Sequence, residues 1–324
     1  MPDRNGDRTR MNMEQQVRPA AEDGHPVLVL LFGAGLISFS PILVKLGVLE
    51  GLGTTAIGFW RNLGGGLVLF GVAAARRRSW RLPSRALLYA AISGVAFCVD
   101  LFAWHRSIVY AGAGLSTILA NTQVFAAAVV SYFVFKERLT FPFILAASVA
   151  FIGVALLVGI GSEEVALTGT YARGVVYGLV TGIAYAGFVV SLKKGQIGVP
   201  KPDPITFVAW SSLFSAIFLG IVGWIEGSEF VPHTPRAYFS LAGLSLLVQA
   251  VGWLAISGAL PRVVTAQAGL ILLLQPILAT VWGVLLYGEY LTPLQIVGAA
   301  ITLVAMYFGI TQRKQPTNRS GYSA

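Results

Sequence analysis

Long apolar runs that follow one another almost without interruption restrict the fold of this chain more than any other feature. Each run holds roughly 20 residues, and a helix of about 20 residues spans the roughly 30 Å hydrocarbon core of a bilayer. We predict ten membrane-spanning helices, at residues 27–48, 54–75, 86–108, 112–135, 140–160, 171–193, 205–225, 236–258, 263–287 and 292–312. The predicted fold class is therefore an all-α membrane protein.

The composition agrees with a chain that lies mostly inside a membrane. Hydrophobic residues make up 56% of the sequence and charged residues 11%, whereas about 25% of residues are charged in an average soluble domain. The connections between runs, such as residues 161–170, are too short to hold an extramembrane domain. Residues 1–26 are polar and predict a disordered cytoplasmic tail, and residues 313–324 predict a second cytoplasmic tail.

The net charge of +9 does not indicate a nucleic-acid partner, because the basic residues are distributed by side. If the N-terminus is cytoplasmic, nearly all Lys and Arg fall on the inner side, including the run at 76–78, and only Arg173 and Arg236 fall outside. This is the distribution of the positive-inside rule. It predicts a multi-pass membrane protein with both termini in the cytoplasm and the lipid bilayer as partner, and it indicates no oligomeric state.

Residues that would support enzymatic chemistry are scattered. Cys98 is the one cysteine, and the three histidines, His25, His105 and His233, do not cluster. There is no Gly-x4-Gly-Lys-Ser/Thr phosphate loop. We therefore predict no metal, no cofactor and no enzyme, and a membrane-embedded transferase is the less favoured alternative.

A short motif occurs twice, and the residues around it repeat as well. Glu-x-Leu-Thr begins at Glu137 and at Glu289, each time between two apolar runs, and the same offset of 152 positions aligns Gln123 with Gln275. Upstream, with a slightly smaller offset, the aligned pairs are Asp100 with Gln249, Trp104 with Trp253, and Trp60 with Trp210. The chain is thus predicted to contain two five-helix repeats, at residues 27–160 and 171–312.

An odd number of helices in each repeat has a geometric consequence. The second repeat must enter the membrane from the side opposite to the first, which gives two inverted five-helix repeats related by a pseudo-two-fold axis in the membrane plane. Many secondary transporters have this symmetry, because it provides two similar arrangements, one open to each side of the membrane.

The chain resembles the drug/metabolite transporter superfamily in its ten-helix, EamA-type form. The resemblance rests on "FVFKERLT" and "LLYGEYLT", each followed by a Gly/Ala-rich helix, and it covers nearly all of residues 27–312. The first repeat departs from it, with Val124 where the second has Pro276. The resemblance implies export or exchange of small organic solutes without ATP hydrolysis. The alternatives within transport are a nucleotide-sugar or phosphorylated-metabolite exchanger and a drug or cation efflux carrier.

Two charged residues lie deep in predicted helices, where a charge normally faces a cavity or a partner. Counting about 1.5 Å per residue, Arg61 and Asp100 lie at a similar depth, roughly 10 and 12 Å below the outer boundary. We expect them to pair or to line an outward-opening cavity, the alternative being a pair that only fixes two helices. Asp100 is also the one obvious proton carrier.

Uncharged polar and aromatic residues extend this candidate site. Helix–helix hydrogen bonding or simple packing could explain each of them singly, but they share helices that the repeat makes equivalent. We predict a central substrate site between the third, fourth, eighth and ninth helices, formed by Asp100, Trp104, Asn121, Gln123, Gln249, Trp253, Gln267 and Gln275. A pocket of aromatic and polar groups favours amino acids, especially aromatic or bulky apolar ones, as the small-molecule substrate.

Overall fold

The structure is a computed structural model that describes residues 25–111, 116, 119–137, 139–157, 169–198, 200–287 and 292–311. Within these ranges every regular element is a helix. In the first half the helices are α1 Pro26–Ile37, α2 Ser40–Leu49, α3 Thr54–Ala75, α4 Ser84–Ala111, α5 Gln123–Phe135 and α6 Phe141–Leu157. In the second half they are α7 Gly169–Gly195, α8 Pro204–Ile225, α9 Pro235–Gly243, α10 Trp253–Ala259, α11 Thr265–Leu272, α12 Leu274–Tyr287 and α13 Pro293–Thr311.

Among the described residues, ten apolar helical stretches overlap the ten predicted segments. Seven are long and apolar enough to cross a membrane, namely Pro26–Leu49, Thr54–Ala75, Ser84–Ser107, Gly169–Gly195, Pro204–Ile225, Pro235–Arg262 and Thr265–Leu286. The three others, Leu119–Phe135, Phe141–Leu156 and Pro293–Gly309, are shorter. The all-helical, multi-span prediction is confirmed for the described residues, and the count of ten crossings stays a prediction.

Helices from the first half of the chain pack along much of their length against helices from the second half. α3 lies along α8, α4 along α7, and α6 along α13. α4 also packs against α8. Small residues allow close approach, because a Cβ at Gly94 on α4 would lie 2.6 Å from the Cβ of Phe214 on α8, and one at Gly153 on α6 would lie 2.8 Å from the carbonyl oxygen of Gly298 on α13. The larger of two apolar cores is formed mainly by α1, α3, α4, α7, α8, the span Pro235–Arg262 and α11.

The span that follows α8 changes its winding along its length. Between α9 and α10, residues Leu244–Gly252 form a π-helix, and residues Leu260–Arg262 close the span with a 3₁₀ turn. π turns inside α-helices are often found at functional sites. This π-helix contains Gln249, one of the predicted site residues.

Several predicted features lie outside the described residues. They include most of the N-terminal tail, the C-terminal tail, most of the 161–170 connection and Glu289 in the second copy of the repeated motif. Pro26, the last residue of the predicted tail, is instead the first residue of α1. Proline suits this position because the first residues of a helix need no intrahelical N–H partner.

Candidate functional site

Arg61 is a buried cation on α3 that contacts three other segments. The residue is 4% exposed. Its Nε donates to Oε1 of Gln249 at 3.1 Å, and its Nη1 donates to Oγ of Ser40 at 3.0 Å. The guanidinium carbon lies 5.2 Å from the centre of the Phe97 ring, which is within cation–π distance. Arg61 therefore connects α3 to α2, α4 and the π-helix.

Gln249 is fixed in place by close packing of the π-helix against α3. A Cβ at Gly65 would lie 2.5 Å from Cγ of Gln249, so the side chain occupies the space that only a glycine leaves. From there Nε2 of Gln249 donates to Oγ of Ser212 on α8 at 2.9 Å. The amide thus joins Arg61 to α8.

Asp100 is a buried acid on α4, 7% exposed. No Lys or Arg nitrogen of the described chain lies within 4.0 Å of its carboxylate, so the two predicted partners form no direct salt bridge. Asp100 is nevertheless close enough to interact electrostatically with Arg61 and with Tyr185. The two charges therefore share one interior region without touching.

An aromatic cluster borders these charges. Trp253, the first residue of α10, is 1% exposed. Its ring centroid lies 5.6 Å from that of Phe97, 4.6 Å from Phe188 and 6.0 Å from Tyr185. The hydroxyl of Tyr185 accepts a hydrogen bond from Nε2 of Gln275 at 3.1 Å. Phe97 also stacks on Arg61, so the rings and the cation form one group.

The structure brings five of the predicted residues together, namely Arg61, Asp100, Gln249, Trp253 and Gln275. Gln123 lies where α5 meets α11, and its Nε2 donates to the carbonyl oxygen of Gly269 at 3.3 Å. Asn121 lies just before α5 and Gln267 lies on α11, so both are close in sequence to this contact, and both are buried. Trp104 is half-buried and has a ring contact only with the adjacent His105 among the described residues.

Tyr185, Phe188 and Phe97 belong to the site but were not predicted. Tyr185 and Phe188 lie on α7, where the surrounding sequence is apolar and rich in small residues. A hydroxyl-bearing aromatic among alanines and glycines is a weak signal for Tyr185. The two phenylalanines carry no polar group that could distinguish them from ordinary core residues.

The first copy of the repeated motif forms a second polar cluster near the end of α7. Lys193 is 5% exposed, and its Nζ donates to Oε1 of Glu137 at 2.8 Å, to the carbonyl oxygen of Val263 at 2.6 Å and to Oγ1 of Thr265 at 3.0 Å. Oε2 of Glu137 accepts from the backbone N–H of Thr265 at 3.1 Å. Because Thr265 begins α11, the carboxylate also lies at a helix N-terminus, which favours negative charge.

Histidine, cysteine and acidic side chains form no group of three that could hold a metal ion within the described part of the chain. The two polar clusters each contain a buried cation, Arg61 in one and Lys193 in the other.

The EamA-like transporter family matches residues 25–159 and 172–311. The chain belongs to this family. The two matched regions correspond closely to the two predicted repeats, and they include every residue of the cluster around Arg61. Members of an integral membrane family are expected to have the multiple apolar helices found here.

Curated relatives also match. A protein of Salmonella typhimurium named "Probable amino-acid metabolite efflux pump" is 26% identical over 206 residues, which cover 61% of this chain and 67% of the relative. A protein of Escherichia coli with the same name is 26% identical over 213 residues, covering 62% and 70%. An "Uncharacterized transporter" of Clostridium kluyveri is 22% identical, covering 72% and 76%.

One solved crystal structure has a TM-score of 0.76 to this chain at 14% sequence identity. The superposition covers 89% of this chain and 96% of the other. At this level of identity the similarity concerns the fold alone.

Proposed function

We propose that this chain is a secondary transporter that exports amino acids by alternating access, with aromatic or bulky apolar amino acids as the preferred substrates. The observation that carries the proposal is the interior group of Arg61, Asp100 and the rings around Trp253. Buried charges are costly in a membrane and usually mark a substrate or ion pathway. Because the chain belongs to a transporter family, we interpret this group as part of a transport site.

The chemistry of the group suits a zwitterion with an apolar side chain. The guanidinium of Arg61 has only neutral hydrogen-bond acceptors in the described chain, Ser40 and Gln249, so a substrate carboxylate would be its first anionic hydrogen-bond partner. Asp100 offers a negative charge to an ammonium group or a proton. The rings of Trp253, Phe97 and Phe188 offer an apolar, aromatic wall. The printed names of two relatives point to the same substrate class.

Reciprocal contacts support the two-fold relation between the repeats. Nε1 of Trp60 donates to the carbonyl oxygen of Phe230 at 2.7 Å, and Nε1 of Trp210 donates to the carbonyl oxygen of Trp80 at 2.9 Å. Donors and acceptors are each 150 positions apart, so the two bonds exchange under one offset. Such an exchange is the property of an isologous, two-fold interface.

The direction of the same contacts supports inversion. Trp60 lies near the start of α3, whereas Phe230 follows the end of α8, so the two helices run antiparallel. A two-fold axis that relates antiparallel helices is perpendicular to them and therefore lies in the membrane plane. We propose that ten helices form two inverted repeats, at residues 27–160 and 171–312, in a bacterial inner membrane. Both termini are then cytoplasmic.

Transport by the purified full-length chain in liposomes tests the function. A panel of labelled solutes should include a bulky apolar amino acid, a small amino acid, a nucleotide sugar and an organic cation. The proposal predicts that the bulky amino acid moves fastest and emerges chemically unchanged. Movement of the nucleotide sugar with no amino-acid transport would show that the substrate class is wrong, and a chemically altered solute would indicate an enzyme.

Asp100 is the proposed proton carrier, and a pH gradient across the same liposomes tests this role. Wild-type protein should accumulate the amino acid in response to the gradient. Asp100→Asn should lose gradient-driven accumulation while retaining exchange of internal for external substrate. A variant that responds to the gradient as the wild type does would exclude Asp100 as the carrier.

A further inference from the structure

A basic cleft lies outside the central site, between the loop that follows α3 and the loop that precedes α8. Its volume is about 430 Å³. Three cations line it, Arg78, Arg81 and Lys201, together with an apolar wall of Leu82, Pro83, Pro200 and Pro202. Asp203 caps α8 with one carboxylate oxygen, and its other oxygen lies 3.5 Å from Nε of Arg78.

The charge of the cleft is largely uncompensated. No carboxylate of the described chain lies within 4.0 Å of the side chains of Arg81 and Lys201, nor of the neighbouring Arg76 and Arg77. A concentration of unpaired cations around a concave surface attracts anions. The cleft therefore has the charge of an anion site and the shape to hold a small group.

The equivalent loop at the opposite end of the helix pair is built differently. Under the offset of 150 that exchanges the tryptophan bonds, Arg76 corresponds to Glu226 and Ser79 to Glu229. At that end the charges are paired within the protein, since Glu226 pairs with Arg106 and accepts from Thr55. The same scaffold thus leaves unpaired cations at only one of these two loops.

The position of the cleft identifies the kind of anion. Residues 76–83 connect two apolar helices, Thr54–Ala75 and Ser84–Ser107, so the cleft lies at the depth of lipid headgroups. Trp80 in the same loop is exposed, as tryptophans are at the membrane–water boundary. We propose that the cleft binds the phosphate of an anionic glycerophospholipid, with Arg81 and Lys201 on the phosphate and the prolines and Leu82 against the glycerol and upper acyl chains.

Lipid binding to the full-length chain in a neutral detergent tests this proposal. The measurement is the dissociation constant of phosphatidylglycerol and of phosphatidylcholine by native mass spectrometry. The double variant Arg81→Gln/Lys201→Gln removes two cations from the cleft, and neither side chain makes a hydrogen bond within the described structure. The matched control, Arg76→Gln/Arg77→Gln, removes the same charge from the same loop region beside the cleft. Thermal unfolding of each variant without lipid establishes that it is folded.

We expect the wild type to prefer phosphatidylglycerol, and the cleft variant to lose that affinity by roughly ten-fold or more, with a loss below about three-fold in the control. Arg81→Lys should retain most of the affinity. Equal losses in the two double variants would overturn the proposal, because they would indicate general surface charge. Displacement of the lipid by glycerol 3-phosphate at equal concentration would also overturn it, in favour of a soluble anion.

Discussion

Arg61 places a positive charge in the interior of a helical bundle, where the nearby Asp100 does not contact it. A serine hydroxyl, a glutamine carbonyl and a phenyl ring are its contacts within the described chain. Such contacts satisfy part of the guanidinium but bring no counter-charge, and removing a charged group from water costs several kcal/mol after relaxation. If Arg61 served packing alone, a neutral residue could replace it with little loss of stability. Transport measurements can distinguish this packing role from a role in substrate binding.

Arg61→Gln should reduce transport of a bulky amino acid by about ten-fold or more, since a charge-assisted bond contributes about 1.5 to 3 kcal/mol. Transport of the corresponding amine, which lacks the carboxylate, should fall much less. The measurement compares both solutes in liposomes at equal protein content. Arg61→Lys is the matched variant and should retain part of the amino-acid transport. Equal losses for the acid-bearing and acid-free solutes would mean that Arg61 only supports the fold.

Trp253 is the buried centre of the ring cluster and contacts Phe97, Tyr185 and Phe188. Trp253→Phe keeps a ring but shortens it, so we expect slower transport of bulky apolar amino acids and nearly unchanged transport of small ones. Trp104→Phe is the matched comparison, because Trp104 has no described ring contact with the cluster and should change neither profile. Expression and thermal unfolding must be measured for both. A well-folded Trp253→Phe protein with an unchanged substrate profile would remove Trp253 from the pocket.

Individual elements explain which site residues the sequence could identify. Apolar runs predict helices because hydropathy is a local property, and polar residues such as Arg61 and Gln249 are conspicuous inside those runs. Lys193 lies near a helix end beside another lysine, so it resembles an ordinary cytoplasmic charge. Only the approach of Glu137 and Thr265 from distant segments buries it, and such tertiary contacts have no local signature.

The winding of one element explains the unequal placement of Trp104 and Trp253. The alignment of repeats makes the two residues equivalent and assumes about 3.6 residues per turn on both sides. Trp253, however, follows nine residues of π-helix, which has more residues per turn and therefore rotates all later side chains relative to the α-helical register. The sequence contains no pattern that announces this change of winding.

The Glu137 turn connects three elements, and its ion pair gives a prediction at that scale. Lys193→Met leaves a largely buried carboxylate, 14% exposed, without its cation and should destabilise the protein by about 3 kcal/mol. The double variant Glu137→Leu/Lys193→Met removes both charges and should be less destabilised than Lys193→Met alone. Thermal unfolding in detergent gives the comparison. Lys194→Met is the control, since Nζ of that half-buried neighbour has no carboxylate within 4.0 Å in the described chain and lies 3.4 Å from the carbonyl oxygen of Val134 and 5.3 Å from the centre of the Phe135 ring.

If Lys193→Met and Lys194→Met lower the unfolding temperature equally, the ion pair does not hold α7, α11 and the Glu137 turn together. Transport by the double variant adds a second observable. If the Glu137–Lys193 cluster closes one end of the bundle during the transport cycle, the folded double variant should show an altered transport rate. We expect this change although the cluster makes no contact with the Arg61 group in the described structure.

At the scale of the whole molecule, the proposed inversion of the two repeats predicts which side of the membrane each loop faces. Ser79 and Glu229 are exposed, are 150 positions apart and occupy equivalent loops at opposite ends of the α3–α8 pair. Single cysteines are placed by Ser79→Cys and Glu229→Cys in a Cys98→Ser background, which removes the chain's one natural cysteine. A membrane-impermeant maleimide added to intact cells and to inverted vesicles should label Glu229→Cys from outside and Ser79→Cys from the cytoplasmic side. Solubilised protein, in which both sites must react, is the control for accessibility. Labelling of both cysteines from the same side would contradict inversion, because antiparallel helices related by an axis in the membrane plane must present equivalent loops to opposite sides.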